Sequence, residues 1–212
     1  MKAITNLPDH YVEIDALDLS RDVGMLIKLQ IAVLLAFIPL GWFFLWFTFM
    51  LRPDSRQVLP QWGLFNLSIN NGFSVEISNV ILIGLSLFFA VAFVIIVHEA
   101  THGLFFYLFT GRKPRFGFKL LYAYAASPEG IFIKRSQYLW VGLSPLLIIT
   151  LVGMVMIPVL PLVAIPTLVF ALILNASGSV GDIAMMAWLL RQPKEALIKD
   201  TGIMVTAFGP SE

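Results

Sequence analysis

The amino-acid sequence predicts an all-α integral membrane protein with about four transmembrane helices and a small cytoplasmic β-hairpin loop. Two observations support this prediction. Apolar residues make up 58% of the 212-residue chain and charged residues only 13%, whereas soluble domains have about 45–50% and about 25%. The apolar residues also fall into long runs separated by polar segments, which is typical of a polytopic membrane protein.

The first part of the chain contains one predicted span between two polar segments. Residues 1–28 are polar, and we expect them to form a short amphipathic helix or strand at the membrane surface, with no cleavable signal peptide. Residues 29–51 form the first predicted span, which ends in an aromatic cluster typical of a membrane interface. Prolines and an Asn-Asn-Gly sequence in the connection at 52–79 indicate turns and a small hairpin.

Three further spans are predicted at residues 80–110, 138–160 and 162–190. Each exceeds the roughly 20 apolar residues that cross a bilayer. A proline-rich turn separates the third span from the fourth, and residues 191–212 form a polar C-terminal tail. We therefore expect a membrane core at residues 29–190 between a polar N-terminal segment and a polar tail.

The charges of the loops predict the orientation of the chain in its membrane. The loop at 111–137 contains one acidic residue, Glu129, and a cluster of basic residues, namely Arg112, Lys113, Arg115, Lys119, Lys134 and Arg135. The positive-inside rule places this loop in the cytoplasm, together with both termini and the adjacent end of the second span. We expect a bacterial cytoplasmic membrane. The net charge of +1 gives no indication of nucleic-acid binding.

The same loop predicts a β-hairpin. Residues 116–122 and 130–133 flank a Ser-Pro-Glu-Gly turn sequence at 127–130. The edge of such a hairpin could pair with an extended peptide. A hairpin anchored on anionic lipid by its basic side chains is the alternative interpretation.

The most informative motif is His98-Glu99-Ala100-Thr101-His102-Gly103, inside the second apolar run. Positions i and i+4 lie on one face of a helix, so both imidazoles could bind one metal ion, with Glu99 beside it. A charged side chain near a bilayer centre costs roughly 2.5–3.5 kcal/mol, which favours a functional role. The chain has no cysteine, so the remaining ligands must be histidine or carboxylate.

Asp182 is the candidate for the third ligand. It is the only acidic residue between the basic loop and the C-terminal tail, and the predicted topology places it at the depth of His102. It shares one helical face with Asn175, Gly178 and Ser179. Small residues here, including Gly178 and Gly181, would permit close helix contact. A packing seam of small residues with a polar helix end is the alternative.

These features resemble a bacterial family described as putative zincin peptidases, which is similar to the site-2 intramembrane metalloproteases. The motif at 98–103, the basic loop, Ala123-Tyr124-Ala125, the segment 137–145 and the late Gly-Asp pair contribute to a resemblance over residues 7–190. It implies His98, His102 and Asp182 as zinc ligands and Glu99 as the catalytic acid/base. It also implies that Asn175 binds the substrate by steadying its carbonyl. Site-2 proteases typically have Asn-Pro and Leu-Asp-Gly where this chain has Asn-Ala and Gly-Asp-Ile.

The predicted function is that of a zinc-dependent intramembrane or membrane-embedded peptidase with a metal-activated water. Its expected partners are Zn²⁺, a membrane protein or peptide substrate and the lipid bilayer, with no nucleic acid; the oligomeric state is left open. The alternative is a non-catalytic membrane pseudoprotease that binds or chaperones other membrane segments. Glu99 argues against it, because a structural metal site needs no base beside its ligands.

Overall fold

Long apolar helices make up most of the structure. The computed structural model describes residues 3–18, 23–57, 77–119 and 122–211. Within these ranges, four helical segments are long and apolar enough to cross a membrane, namely Gly24–Leu51, Leu87–Thr110, Arg135–Met156 and Leu162–Leu189. The fold is thus mostly helical, and small β-sheets accompany the helices.

The helices lie close to the predicted spans but differ from them at their ends. They are α1 (Val23–Leu51), α2 (Ile77–Thr110), α3 (Arg135–Met156), α4 (Ile165–Gly178) and α5 (Val180–Leu189). The third helix ends at Met156 instead of residue 160, because Pro158 and Pro161 cannot continue it. The fourth predicted span consists of two helices, which are separated by a turn at Ser179.

A four-stranded antiparallel sheet joins the two ends of the chain. Its strands are β1 (Tyr11–Asp18), β4 (Ile133–Lys134), β5 (Leu197–Asp200) and β6 (Met204–Pro210), in the order β1-β6-β5-β4. The prediction of a helical protein with one small hairpin is therefore confirmed only in part, because it did not include this sheet; of the two alternatives for the N-terminal segment, the strand is confirmed. The polar tail is ordered because Ile198, Val205 and Ala207 are buried against the helices.

The loop after α2 forms a hairpin with a different partner from the predicted one. Strands β2 (Arg115–Lys119) and β3 (Tyr122–Ala126) pair with each other, with Phe116 opposite Ala125. The prediction that residues 130–133 form the second strand is wrong. Gly130 has a positive φ of 68° and makes the expected turn, but this turn leads into β4 of the other sheet. The hairpin predicted in the 52–79 connection falls on residues 58–76, outside the described residues.

The sheet is attached to the helices through a buried polar contact. The hydroxyl of Tyr138 in α3 donates a hydrogen bond to Asp200 Oδ2 over 2.7 Å. The Gly202 N–H and the Ser127 hydroxyl donate to the Oδ1 atom and the carbonyl of the same residue. Burial raises the pKa of Asp200 above its usual range. This residue therefore fixes the β5–β6 connection against α3 and against the loop that follows β3.

A second polar contact joins the far end of the helices. Arg52, directly after α1, donates from Nη1 to the carbonyls of Ile157 (3.3 Å), Pro158 (3.3 Å) and Leu160 (3.1 Å). Carbonyls at a helix C-terminus have no partner in their own helix, so a cation satisfies them well. The same guanidinium makes a bidentate pair with Asp54. Arg52 thus links α1 to the connection between α3 and α4.

We expect Arg52→Met to destabilise the protein by about 1–3 kcal/mol, because it leaves several partly buried carbonyls without a donor. Thermal unfolding in detergent, followed by circular dichroism, measures this effect. Asp54→Asn is the matched control, since it weakens an exposed ion pair and should change stability by less than about 1 kcal/mol. Equal melting temperatures for both variants and the wild type would contradict the proposed role of the carbonyl contacts.

Candidate metal centre

The two histidines of α2 and the aspartate of α5 meet in the structure. His98 Nε2 lies 3.1 Å from Asp182 Oδ2, and His102 Nε2 lies 3.4 Å from Asp182 Oδ1. The two imidazole centroids are 4.9 Å apart. All three side chains are mostly buried, with 24% or less of their surface exposed. Residues separated by about 80 positions in the sequence therefore converge on one point.

The spacing of these atoms fits a tetrahedral zinc ion. Zinc–nitrogen and zinc–oxygen bonds of about 2.0–2.2 Å place neighbouring tetrahedral ligands ~3.3 Å apart. The distances of 3.1 and 3.4 Å match this value, and the three ligand atoms all lie within 4.8 Å of one another. Two neutral imidazoles and one carboxylate also leave a fourth position for water or substrate. In the described part of the chain, this is the one such group of His, Asp and Glu side chains.

The break between α4 and α5 places Asp182 in the site. The Ser179 hydroxyl donates to the Asn175 carbonyl over 2.9 Å, and Asp182 falls in the first turn of α5. A carboxylate is favoured there because the positive end of the helix dipole faces it. A Cβ atom at Gly178 or Gly181 would meet nothing within 4 Å. The prediction that these two glycines permit close helix contact is therefore wrong.

Gly142 of α3 leaves room for a side chain of α5. A Cβ atom at Gly142 would overlap the end of the Met186 side chain. Gly142 was not predicted from the sequence, because a single glycine in an apolar run does not reveal which helix faces it.

Buried hydrogen bonds orient both imidazoles. The Nδ1 atom of His102 lies 2.8 Å from the Val141 carbonyl, which can only accept. The Nδ1 atom of His98 lies 3.0 Å from Asn175 Oδ1, while Asn175 Nδ2 donates to the Pro145 carbonyl over 3.2 Å. Each ring therefore donates from Nδ1 and presents Nε2 to Asp182. Outer contacts of this kind are usual around metal-binding histidines.

Asn175 is placed beside the metal centre, as the helical periodicity predicted. It is fully buried, and both ends of its amide are bonded to protein atoms. Its role in binding the substrate carbonyl, which the resemblance implies, stays a prediction. The acceptor role of the Val141 carbonyl was not predicted from the sequence. A proline inside an apolar helix could have indicated it, because such a proline leaves the carbonyl four residues earlier without a donor.

Glu99 lies between the metal centre and an apolar cavity. Its carboxylate interacts electrostatically with His98, His102 and Asp182, and it accepts a hydrogen bond from the Ala125 N–H of β3. The cavity, of about 640 Å³, lies between α2 and the β2–β3 hairpin, and Glu99 is part of its wall. The rest of the wall is almost entirely apolar, formed by Phe88, Val91, Ala92, Ile95, Ile96, Ala100, Phe116, Gly117, Phe118, Ala123 and Tyr124.

The remaining candidates for a metal ligand lie elsewhere. His10 precedes β1 and packs its ring against Tyr11, and Glu129 is exposed in the turn before β4. Neither residue is part of the group formed by His98, His102 and Asp182.

One family model matches this chain, over residues 91–197, which is half of its length. The family is described as "Putative zincin peptidase". The matched region includes His98, Glu99, His102, Asn175 and Asp182. A zincin family implies zinc, which agrees with the chemistry of the donor set. No curated protein and no solved structure matches the chain.

We expect about one zinc ion per chain when the protein is purified without chelators, and at least tenfold weaker binding after Asp182→Ala, because a ligand is lost. Elemental analysis and competition with a chromophoric chelator measure both quantities. Glu129→Ala is the control for the loss of an acidic side chain and should bind like the wild type. Unchanged zinc affinity in the Asp182 variant would show that another residue is the third ligand.

Proposed function

The chain belongs to the zincin peptidase family, and from this premise we propose that it is a zinc-dependent peptidase that hydrolyses peptide bonds in or at the membrane. The observation that supports this most strongly is the position of Glu99, next to a three-ligand centre and in the wall of a cavity. Zinc held by these ligands would supply a Lewis acid that acidifies water and polarises a peptide carbonyl.

Glu99 is the proposed acid/base. A general base must lie within hydrogen-bonding reach of the water it deprotonates, and the same carboxyl group can then protonate the leaving amine. The Glu99 carboxylate lies near the Ala125 N–H, at the boundary between the cavity and the metal ligands. A substrate in the cavity would therefore approach Glu99 directly. In our proposal the helix with the HExxH motif and the later aspartate correspond to the site-2 protease arrangement.

We propose that the substrate is an extended, apolar segment of a membrane protein or peptide. The cavity wall is almost entirely apolar, so it would bind apolar side chains by removing them from water or lipid. The backbone of β3 supplies a second element of recognition. Ala125 directs its N–H away from β2 and towards Glu99, and Ala123, two residues earlier, faces the same way. Among the described residues β3 pairs with β2 along one edge, and its other edge could pair with an extended peptide.

We propose that the four long helices lie in a bacterial cytoplasmic membrane with the active-site end and both termini in the cytoplasm. Several large apolar side chains of α1, such as Leu34, Ile38 and Trp42, are at least 70% exposed, which fits contact with lipid. The four-stranded sheet supports the orientation, because it combines the N-terminal segment, the end of the basic loop and the C-terminal segment. The three parts predicted to be cytoplasmic thus lie at one end of the helices.

We expect Glu99→Gln to retain zinc and lose peptidase activity, because the amide cannot accept the proton of the attacking water. The protein is incubated in detergent with a peptide library made from a digested proteome, and mass spectrometry identifies new termini. Wild-type protein should produce termini flanked by apolar residues. The zinc-loaded Glu99 variant should produce at least 100-fold fewer of them. New termini at wild-type levels in this variant would contradict the role of Glu99. None from zinc-loaded wild type would favour the pseudoprotease alternative.

The chain has no cysteine, so single cysteines can report its orientation. In intact bacterial cells we expect a membrane-impermeant maleimide to label Val159→Cys, beyond the end of α3, and not Glu129→Cys. Both positions should react after the cells are permeabilised. The reverse pattern would show the opposite orientation, and equal labelling of both positions in intact cells would contradict a membrane-spanning α3.

A further inference from the structure

Pro145 lies inside α3, directly beside the metal centre. It is fully buried, and it occupies a helical position where an ordinary residue would donate its N–H to the carbonyl of Val141. Proline has no N–H, and its ring also pushes that carbonyl away from the helix axis. The Val141 carbonyl is therefore available to donors outside the helical ladder.

Two side chains form hydrogen bonds with the Val141 carbonyl. The Nδ1 atom of His102 lies 2.8 Å from it, and the Ser144 hydroxyl donates to it over 2.8 Å. A backbone carbonyl oxygen has two lone pairs, so these two donors fill its accepting capacity. A backbone N–H at position 145 would be a third donor, and it would compete with His102.

The backbone carbonyl of Pro145 helps to orient the other histidine, His98. It accepts a hydrogen bond from Asn175 Nδ2, which fixes the amide so that Oδ1 faces His98 Nδ1. Since Oδ1 can only accept, His98 must donate from Nδ1. The carbonyls of Val141 and Pro145 thus determine which nitrogen of each imidazole faces Asp182.

We propose that Pro145 is a positioning residue for the metal centre, acting on His102 through the released Val141 carbonyl; its own backbone carbonyl, which any residue at this position would offer, orients His98 through Asn175. This inference rests on the proposed zinc centre. It gives Asn175 a role inside the protein, as the hydrogen-bond partner of a ligand. It also explains why a proline is accommodated at a buried position in the middle of α3, where it removes one hydrogen bond of the ladder.

The test compares Pro145→Ala with Pro39→Ala, which replaces an exposed proline inside α1. We expect Pro145→Ala to bind zinc at least about tenfold more weakly than wild type, as is usual when an outer partner of a ligand is lost. We also expect its cobalt complex to show an altered visible spectrum. Pro39→Ala should bind both metals like the wild type. Asn175→Leu, which removes the contact to His98, should weaken zinc binding to a similar degree.

A purely structural role for Pro145 would give a different result. Alanine is a far better helix former than proline, so we expect the metal-free Pro145→Ala protein to melt no lower than wild type while its zinc affinity falls. Nuclear magnetic resonance of ¹⁵N-histidine protein gives a readout without metal, because the chain has only three histidines. The Nδ1–H proton of His102 should exchange slowly with water in the wild type and at least tenfold faster in Pro145→Ala.

The outcomes separate this inference from the proposed function. Wild-type zinc affinity together with slow exchange of the His102 Nδ1–H proton in Pro145→Ala would overturn the inference and leave the zinc centre intact. Failure of the wild type to bind zinc would overturn the proposed function, whereas the exchange measurement in metal-free protein would still decide whether Pro145 controls His102. Equal weakening of zinc binding in Pro39→Ala would also contradict the inference, because the effect would not depend on contact with the site.

Discussion

The structure depends on one constraint, which is that ionisable side chains inside apolar helices must find partners within the protein. His98, His102 and Asp182 lie on segments long and apolar enough to cross a membrane. Leaving each of these groups unpaired away from water costs on the order of several kcal/mol. The polar atoms of the three side chains are partners for one another around a common point. The packing of α2 against α3 and α5 is therefore tied to the geometry of this site.

Interruptions in the helices provide the remaining partners. The turn at Ser179 divides the fourth apolar segment and places Asp182 at the start of α5, where the helix dipole favours a carboxylate. Pro145 leaves the Val141 carbonyl free to accept from His102. An uninterrupted helix has no backbone group to offer, because its N–H and C=O groups are bonded to each other. The interruption at Pro145 thus lets a backbone carbonyl take part in the metal centre, whereas the turn at Ser179 precedes one of its ligands.

The sequence predicts the site better than it predicts the sheets, for a physical reason. Helical periodicity is local, so four apolar spans and the shared face of His98 and His102 follow from spacing alone. Asp182 could be identified because few acidic residues occur in the spans. Strand pairing is non-local. The turn sequence at 127–130 is recognisable, but it does not reveal that β3 pairs with β2 or that β4 pairs with β5. The strands of the tail have no clear alternation of apolar and polar residues, so they are not recognised without knowledge of what buries them.

The balance of charge explains why a divalent cation fits this site better than a structural ion pair. Asp182 and Glu99 give the site a charge of about −2 when both carboxylates are ionised, whereas α2, α4 and α5 contain no lysine or arginine. Buried charge of one sign is costly unless it is neutralised. A divalent cation would neutralise this negative charge. The repulsion between the two carboxylates would then be replaced by the attraction of each carboxylate to the cation. Any ligand that binds only the folded state also stabilises that state. Metal binding and the packing of α2, α3 and α5 would therefore reinforce each other, and the carboxylate that is not a ligand, Glu99, would remain available as the base.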